Sequence, residues 1–375
     1  MMKITLQHWS ATNEVMTKLN MLKRWTDITS QKKYNELAKQ ALNCIITYIL
    51  AKRAEHEGKK INYEKFPKIA LGRAFAKVYV YFDTPEHKID EICQMSGIKK
   101  EAFNHATTEI IASKTDTAFA DFLAETKGEY EARIYKAATK IATYIELLEH
   151  REISDNTKFQ EIERSLMQFR DIPGVEEYSN RNSEVFKMFQ DISNLRNQTR
   201  WSTLCYNVEC SVLGHLFDTG IFAYLMAMAM SDEEKAECDE DFASRLFFMG
   251  IWHDVAEEWT KDIPSPIKDK IKGFREATAN YEIEQIKKHV YAVLPEYMVP
   301  ELKKVMLEEK NNEAYKVLLK EADYLSADSE CYRNLLSGSR DPEFIHVIQR
   351  ERKITSALCL KAHTEIERYS YKTNL

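Results

Sequence analysis

Four side chains of metal-ligand type lie in the second half of the chain: His215, His253, Asp254 and Asp323. Two imidazoles and two carboxylates make a mixed nitrogen and oxygen donor set, which suits Mn, Co, Fe, Zn or Mg rather than a thiolate-bound metal. Four ligands supplied by three helices would leave positions open for water and substrate, as a catalytic metal site requires. These residues are therefore candidate ligands of one divalent metal ion.

Two of these residues end a strongly apolar run. Residues 246–252 (LFFMGIW) are followed at once by His253 and Asp254, whose side chains are costly to bury unless a partner replaces the lost water. A histidine in such a helix is more often an ordinary hydrogen-bonded core residue, and a His-Asp dipeptide is common by chance. The spacing alone therefore leaves a metal site and a packed core as alternatives.

Two carboxylates that could assist catalysis follow the dipeptide. Glu257 lies four residues after His253, which would place it on the same face of a helix, one turn along. There it could orient a ligand or act as a general acid or base. Asp262 lies in the loop after this helix. Both are candidate catalytic residues.

A neighbouring pair, Arg200 and Trp201, offers candidate substrate contacts. The guanidinium group of Arg200 is planar and permanently charged, and it suits a phosphate group. The indole of Trp201 provides a flat surface for a sugar or a base. The pair fits a small anionic ligand.

Helices must hold these side chains. Only 10 glycines and 8 prolines occur among 375 residues, well below the usual share of turn-forming residues. Apolar residues recur at helical spacing in several segments, whereas strand-like alternation is nearly absent. The predicted helices are Tyr34–Glu55, Tyr130–Glu149, Val208–Met230, Asp241–Glu258, Asn311–Leu336 and Asp341–Arg368. The predicted fold class is all-α.

Charge and cysteine content argue against several classes of partner. The net charge is −6 and no basic run is long enough to follow a phosphate backbone, so polymeric nucleic acid is a poor candidate. The 7 cysteines form no CxxC pair, which argues against a disulfide framework and a zinc ribbon. No signal-peptide core is visible at the start, and the most apolar segment, residues 221–230, is too short to span a bilayer. We expect a cytoplasmic protein without a membrane partner.

The candidate site resembles a known family. His215, the His253-Asp254 pair and Asp323 fit the H…HD…D signature of the HD-domain metal-dependent phosphohydrolases. More narrowly, Arg200-Trp201 stands fifteen residues before the first ligand, and HDVAEEWTKDIPSPIK (253–268) follows. Both features resemble the YfbR-like 5′-deoxynucleotidases.

This resemblance implies an all-α fold, one divalent metal ion and hydrolysis of a nucleoside 5′-monophosphate by metal-activated water. It implies that the four residues of the signature are the metal ligands. Arg200 would hold the phosphate group, and Trp201 would lie against a deoxyribose and disfavour a 2′-hydroxyl. Glu257 and Asp262 would act beside the attacking water.

Three positions depart from the pattern of the family. Gly214 and Leu216 flank the first ligand, where the family usually has Glu before it and Ser or Thr after it. Support for His215 must then come from elsewhere in the chain. Lys261 replaces a small residue, often Gly, before the loop aspartate. These departures bear on the identity of the substrate.

Four sequence similarities recur in the same order in the two halves and suggest a duplication. The matched segments are Arg24-Trp25 with Arg200-Trp201, Tyr34-Asn35 with Tyr206-Asn207, Asp83-Thr-Pro with Asp262-Ile-Pro, and 136–165 with 320–352. We interpret residues 1–170 as a degenerate HD-like domain, 171–194 as a linker with a connecting helix, and 195–375 as the catalytic HD domain. The two units would form a pseudo-dimer within one chain.

The first copy lacks the ligands. Lys39 or Asn43 stands at the position of His215, depending on whether one counts from the Arg-Trp or the Tyr-Asn pair. Ala74-Phe75 replaces the His-Asp pair, and Thr139 replaces Asp323. We expect this copy to bind no catalytic metal and to act as architecture. Regulatory ligand binding through Arg24 and Lys39 is the alternative.

The leading function is therefore a metal-dependent phosphohydrolase acting on a nucleoside 5′-monophosphate, with a deoxyribonucleotide preferred. Other HD substrates, namely deoxynucleoside triphosphates, ppGpp-like alarmones and cyclic nucleotides, stay open. A non-catalytic nucleotide-binding regulator is the competing class. Retention of Glu257 and Asp262 beside all four ligands favours the enzyme, because a binder needs no water-activating carboxylates.

Overall fold

The computed structural model describes residues 3–26, 34–124, 129–150, 156–233, 239–261, 263, 265–308, 312–353 and 355–372. Within these ranges helices dominate, and the two strands have two residues each. The all-α prediction is confirmed. The helices of the first half are α1 (Leu6–Met21), α2 (Glu36–His56), α3 (Lys65–Ala76), α4 (Glu86–Met95), α5 (Lys100–Ala112), α6 (Thr117–Ala124), α7 (Tyr130–Glu149) and α8 (Asn156–Met167).

The second half opens with two connecting helices and a short antiparallel ribbon. These are α9 (Val175–Tyr178), α10 (Glu184–Ser193), β1 (Thr199–Arg200) and β2 (Cys210–Ser211). The remaining helices are α11 (Val212–Glu233), α12 (Glu240–Trp252), α13 (Glu257–Thr260), α14 (Ser265–Lys270), α15 (Phe274–Ile286), α16 (Val299–Lys303), α17 (Glu313–Leu336), α18 (Pro342–Glu351) and α19 (Ala357–Lys372).

Helices α2 and α11 form the centre of the molecule. They pack against each other, and α11 also packs on α12 and α17, while α2 packs on α7. The segment Val212–Met230 of α11 is long and apolar enough to cross a membrane, but all of its most apolar window is buried inside the protein. Its apolar character is thus explained by burial against neighbouring helices, which removes its side chains from water.

The helix before each Arg-Trp pair packs on the opposite half. Helix α1 contacts α11, α17 and α19, whereas α10 contacts α2 and α7. Arg333 Nε of α17 donates to Thr17 Oγ1 of α1 at 3.3 Å. In the other direction, Ser193 Oγ of α10 donates to Glu149 Oε1 of α7 at 3.1 Å. The exchange is reciprocal, as expected for two related units.

The backbone has the same conformation at corresponding positions of the two halves. Trp25 and Trp201 have φ values of 58° and 60°, in the left-handed region that side-chain-bearing residues rarely adopt. Lys23 pairs with Asn35 in an antiparallel bridge, as Thr199 pairs with Ser211 in the ribbon. Asn35 therefore corresponds to Ser211, and the sequence match of Tyr34-Asn35 to Tyr206-Asn207 was wrong. Counting from this register places Lys39, not Asn43, opposite His215.

The predicted end of one helix was also wrong, and a second predicted helix is interrupted. Helix α12 ends at Trp252 rather than at residue 258, because the amides of Glu257 and Glu258 donate three residues back, to Asp254 and Val255. The predicted C-terminal helix is broken between α18 and α19. Buried Glu321 accepts a hydrogen bond from Ser356 Oγ at 2.8 Å and fixes the start of the second piece. Both pieces can then pack on α17.

Candidate metal centre

Three helices bring the predicted ligands together. His215 lies in the first turn of α11, His253 caps α12, and Asp323 lies in α17. One ligand atom from each of these three residues lies within 4.8 Å of the others. Asp254 joins them through its Oδ2 atom, which lies 3.1 Å from His253 Nε2. Three of the four predicted ligands therefore meet at one point, and Asp254 lies beside them, next to His253.

Hydrogen bonds fix which imidazole nitrogen faces this point. Nδ1 of His253 lies 2.7 Å from the carbonyl oxygen of Gly250, which can only accept, so Nδ1 carries the proton. Nδ1 of His215 lies 2.8 Å from Ser326 Oγ and 3.3 Å from Glu330 Oε1. Both histidines thus present Nε2 to the centre, the arrangement that carbonyl and carboxylate partners impose on metal-ligating histidines.

The charges of the cluster fit a divalent cation. Burial opposes ionisation of Asp254, but His253 holds the pKa of this carboxyl well below its usual range. The pKa of Asp323 is likewise held low, by His215 and Lys320 against the effect of burial. Two ionised carboxylates therefore share a partly buried site with two imidazoles. A dipositive ion would balance their charge and occupy the donor set.

The carboxylates around His215 favour the protonated form of its imidazole. Burial and the charge of Arg200 lower the pKa of its imidazole, but Asp323 and Glu330 outweigh them and raise the pKa to about 9. His215 Nε2 lies 3.2 Å from Asp323 Oδ1. A bound cation would take the place of the proton on Nε2.

One buried carboxylate links this cluster to the candidate substrate residues. Glu330 Oε2 accepts hydrogen bonds from Arg200 Nε at 2.9 Å and from Trp201 Nε1 at 2.8 Å. Burial opposes its ionisation, but Arg200 and His215 lower the pKa of Glu330 to about 2. Arg200 and Trp201 are therefore held on the same side chain that orients the first ligand.

Sequence reasoning missed Glu330 and Ser326, which supply the support expected for His215. Their spacing carried a signal, because they follow Asp323 by seven and three residues and so share its face of α17. The departure at Gly214 has a packing cause: a Cβ atom there would lie 3.2 Å from Leu37 Cδ2 of α2. The first half thus occupies the space that a larger residue at 214 would need.

Of the two candidate catalytic carboxylates, only Glu257 lies among the described residues. Glu257 begins α13 and is half-buried, and its charge, with those of Glu330, Asp323 and Asp254, raises the pKa of Arg200. It is reached through tight turns rather than along the predicted continuous helix. Asp262 lies outside the described residues. Lys261, just before it, has φ 62°, which explains why a glycine suits this position.

The first half contains a similar Glu, Arg and Trp arrangement without the cluster of His and Asp side chains. Glu146 Oε2 accepts hydrogen bonds from Arg24 Nε at 3.0 Å and from Trp25 Nε1 at 2.9 Å, the same contacts that Glu330 makes. Ala74 and Phe75 are buried apolar residues. In the described part of this half, no three His, Cys, Asp or Glu residues gather as a metal-ligand group.

The all-α fold and the cluster of His and Asp side chains in the second half fit a unit of the HD type. In comparison with known families, residues 187–369 match the family model described as 5′-deoxynucleotidase YfbR-like. The resemblance predicted from the motifs is confirmed, and so is the prediction of an HD-domain phosphohydrolase enzyme.

Similar proteins include several bacterial 5′-deoxynucleotidases. The chain is 24% identical over 184 residues to one from Yersinia pseudotuberculosis, covering 48% of this chain and 86% of the relative. It is 27% identical over 158 residues to one from Erwinia tasmaniensis, covering 41% of this chain and 75% of the relative. A solved HD-domain phosphohydrolase from Listeria innocua aligns with TM-score 0.39 and 19% identity, covering 49% of this chain and 86% of the other.

Proposed function

We propose that the second half removes the phosphate group from a nucleoside 5′-monophosphate, with deoxyribonucleotides preferred. The observation that carries this proposal is the double role of Glu330, which contacts His215 of the ligand cluster and both members of the Arg200-Trp201 pair. Substrate contacts and ligands are thereby held on one buried group. The names of the similar proteins support the choice of 5′-deoxynucleotides.

Four residues would hold the cofactor: His215, His253, Asp254 and Asp323. A divalent ion in this set would lower the pKa of a water molecule and offset the charge of the phosphoryl oxygens. Mn, Co, Mg, Fe and Zn all suit the donors. The protein fixes the donor geometry in advance, because Nδ1 of each histidine is already engaged.

Arg200 would bind the phosphate group. Its Nε donates to Glu330, while its two terminal nitrogens make no hydrogen bond among the described residues. These nitrogens form the fork that suits two phosphate oxygens. Glu330 thus orients the guanidinium group from behind.

Trp201 would lie against the sugar and disfavour a 2′-hydroxyl. Its indole is half-buried, with the ring edge-on to Phe344 at 6.1 Å between centroids. Glu257 and Asp262 would exchange protons with the attacking water and the leaving oxygen. Glu257 suits this role because it is half-buried and its charge acts on Arg200.

We further propose that residues 1–170 form a degenerate HD-like unit, joined through 171–194 to the catalytic unit of 195–375 in an intrachain pseudo-dimer. The reciprocal packing of α1 and α10 supports this proposal. A cytoplasmic location fits a small nucleotide substrate.

The test is release of phosphate from a panel of deoxynucleoside and nucleoside monophosphates with Mn, Co or Mg. Asp254→Ala should reduce kcat/KM by at least about a hundredfold, at or above the upper end of losses for residues that only support ligands. Asp171→Ala, an exposed aspartate paired with Arg133, is the matched control and should keep wild-type activity.

Other outcomes separate the alternatives. Turnover of triphosphates, alarmones or cyclic nucleotides in place of monophosphates would assign the site to another HD substrate. Nucleotide binding without turnover, with every metal tried, would favour the non-catalytic regulator. Equal activity of wild type and Asp254→Ala would contradict the metal site itself.

A further inference from the structure

A large cleft lies in the first half, where the catalytic site would be if the two copies were equivalent. Its volume is about 1010 Å³, and its lining includes Arg24, Trp25, Lys39 and Thr139. These residues correspond to Arg200, Trp201, His215 and Asp323 of the second half through the ribbon register and the 136–165 match. The cleft is large enough to enclose a nucleotide-sized molecule.

The lining of this cleft is basic, although the chain as a whole carries a net charge of −6. Lysines and arginines outnumber carboxylates around it. Six of the lining cations are Arg24, Lys39, Arg73, Lys77, Lys136 and Lys140.

Three of these cations are already neutralised. Arg24 is held by Glu146 at 2.9 Å and by Glu36 at 2.7 Å. Arg73 and Lys136 share the carboxylate of Glu86, each at 3.3 Å. Arg24 is therefore more fully engaged than Arg200, so ligand binding in this half would fall mainly to other groups than the predicted Arg24.

The other three cations, Lys39, Lys77 and Lys140, are not neutralised at close range. No carboxylate among the described residues lies at salt-bridge distance from their ammonium groups. Lys39 is only 7% exposed, and it is repelled by Arg24 and Lys140 although Glu36 and Glu146 attract it. Burying mutually repelling charges is costly unless something compensates them. A polyanion in the cleft would provide that compensation.

The rest of the cleft indicates what kind of anion fits. Trp25 and Tyr81 line it and offer aromatic surfaces, on which a base can stack. Three lysines without a carboxylate at salt-bridge distance match the charge of several phosphates better than that of one, because a bound polyanion favours the protonated form of each amine. The buried Ala74 and Phe75 at the His-Asp position leave no ligands to activate water.

We propose that this cleft binds a nucleoside polyphosphate without hydrolysing it, with its phosphates held by Lys39, Lys77 and Lys140. The chain thus has two nucleotide sites of opposite design. The second half would use a metal ion to offset phosphate charge, and the first half uses fixed ammonium groups.

The experiment is isothermal titration of the full chain carrying Asp254→Ala, in EDTA, so that neither catalysis nor the metal contributes. The probes are the four deoxynucleoside triphosphates and inorganic tripolyphosphate. We expect saturable binding of at least one nucleotide, tenfold or more tighter than tripolyphosphate. Equal affinity for all five probes would overturn the nucleoside part of the proposal, and absence of saturable binding would overturn all of it.

Substitutions locate the site. Lys77→Met and Lys140→Met, each added to Asp254→Ala, should weaken binding tenfold or more. Lys187→Met removes an exposed lysine outside the cleft and should leave affinity unchanged. Binding that is lost with Arg200→Met but kept with Lys77→Met and Lys140→Met would place the anion in the second half and overturn the proposal.

Thermal unfolding gives a second readout that does not depend on affinity alone. Lys39→Met replaces a buried ammonium group by an apolar side chain, so the unliganded variant should unfold at or above the temperature of its parent. The rise in Tm that the nucleotide causes in the parent should shrink in the variant. A variant that is as stable as its parent and keeps the full rise would overturn the role of Lys39.

Discussion

Glu330 Oε2 lies 2.8 Å from the indole Nε1 of Trp201, so a buried carboxylate of α17 fixes a residue that is 129 positions earlier in the chain. The same carboxyl group holds Arg200 and lies 3.3 Å from His215 Nδ1. It joins both parts of the candidate site, the proposed metal ligands and the proposed substrate contacts. Its removal should therefore disturb metal binding and substrate binding together.

Glu330→Gln should lower kcat/KM by about 10–100-fold, the range seen when groups that orient metal ligands are changed. The amide cannot balance the charge of Arg200, and it accepts more weakly from the His215 imidazole. KM should rise and metal affinity should fall, measured by steady-state kinetics and by metal titration. Glu146→Gln removes the equivalent carboxylate of the first half and is the matched control. Equal losses in both variants would mean that the carboxylates act only in folding.

Trp201→Ala should narrow the preference for deoxynucleotides over ribonucleotides, because it removes the ring proposed to exclude the 2′-hydroxyl. The measurement is the ratio of kcat/KM for a deoxynucleoside monophosphate and its ribose counterpart. Trp201→Phe keeps a ring against Phe344 but loses the bond to Glu330. It should retain more of the preference. An unchanged ratio in both variants would limit Trp201 to packing.

The sequence could predict that His215, His253 and Asp323 gather, because their chemistry is unusual where it stands. His253 and Asp254 at the end of an apolar run needed a partner, and His215 and Asp323 offered donors of the same kind. Glu330 was missed because a glutamate in a helix is ordinarily a solvated residue. Only its contacts with residues far away in the chain distinguish it, and a single sequence does not contain them.

Local detail limited the rest of the prediction. Apolar periodicity located α7 at both ends, but it could not detect the tight turns that end α12 at Trp252. The match of Tyr34-Asn35 to Tyr206-Asn207 was wrong because it followed identical residue types and ignored the different lengths of the loops before them. The bridge from Lys23 to Asn35 corrects it, and this register is what places Lys39 opposite His215.

Lys261→Gly should stabilise the protein. Lys261 has φ 62° and ψ 162°, a region that is almost restricted to glycine and that costs another residue about 1–3 kcal/mol. Glycine relieves this strain but loses more chain entropy on folding, by about 0.4–1 kcal/mol. The net gain should be about 1 kcal/mol, seen as a rise of roughly 1–3 °C in Tm.

The matched control for Lys261→Gly is Lys187→Gly. Lys187 is an exposed lysine inside α10, where glycine should destabilise by roughly 0.5–1 kcal/mol. Opposite signs for the two substitutions would confirm the backbone argument. A fall in Tm for both variants would contradict it.

The buried Lys39 should make stability depend on pH. Burial and the charges of Arg24 and Lys140 outweigh Glu36 and Glu146 and lower its pKa from 10.5 to about 7. Between these values the unfolded chain binds the proton and the folded protein has released it, so the free energy of unfolding rises with pH from about 7 towards 10. Below pH 7 both states are protonated and the contribution of Lys39 to the slope vanishes.

Denaturant unfolding of wild type and Lys39→Met between pH 6 and 10 measures the effect. The difference in stability between variant and wild type should be largest at low pH and shrink as the pH rises, because only wild type gains from deprotonation. A constant difference across this range would show that Lys39 keeps its ordinary pKa.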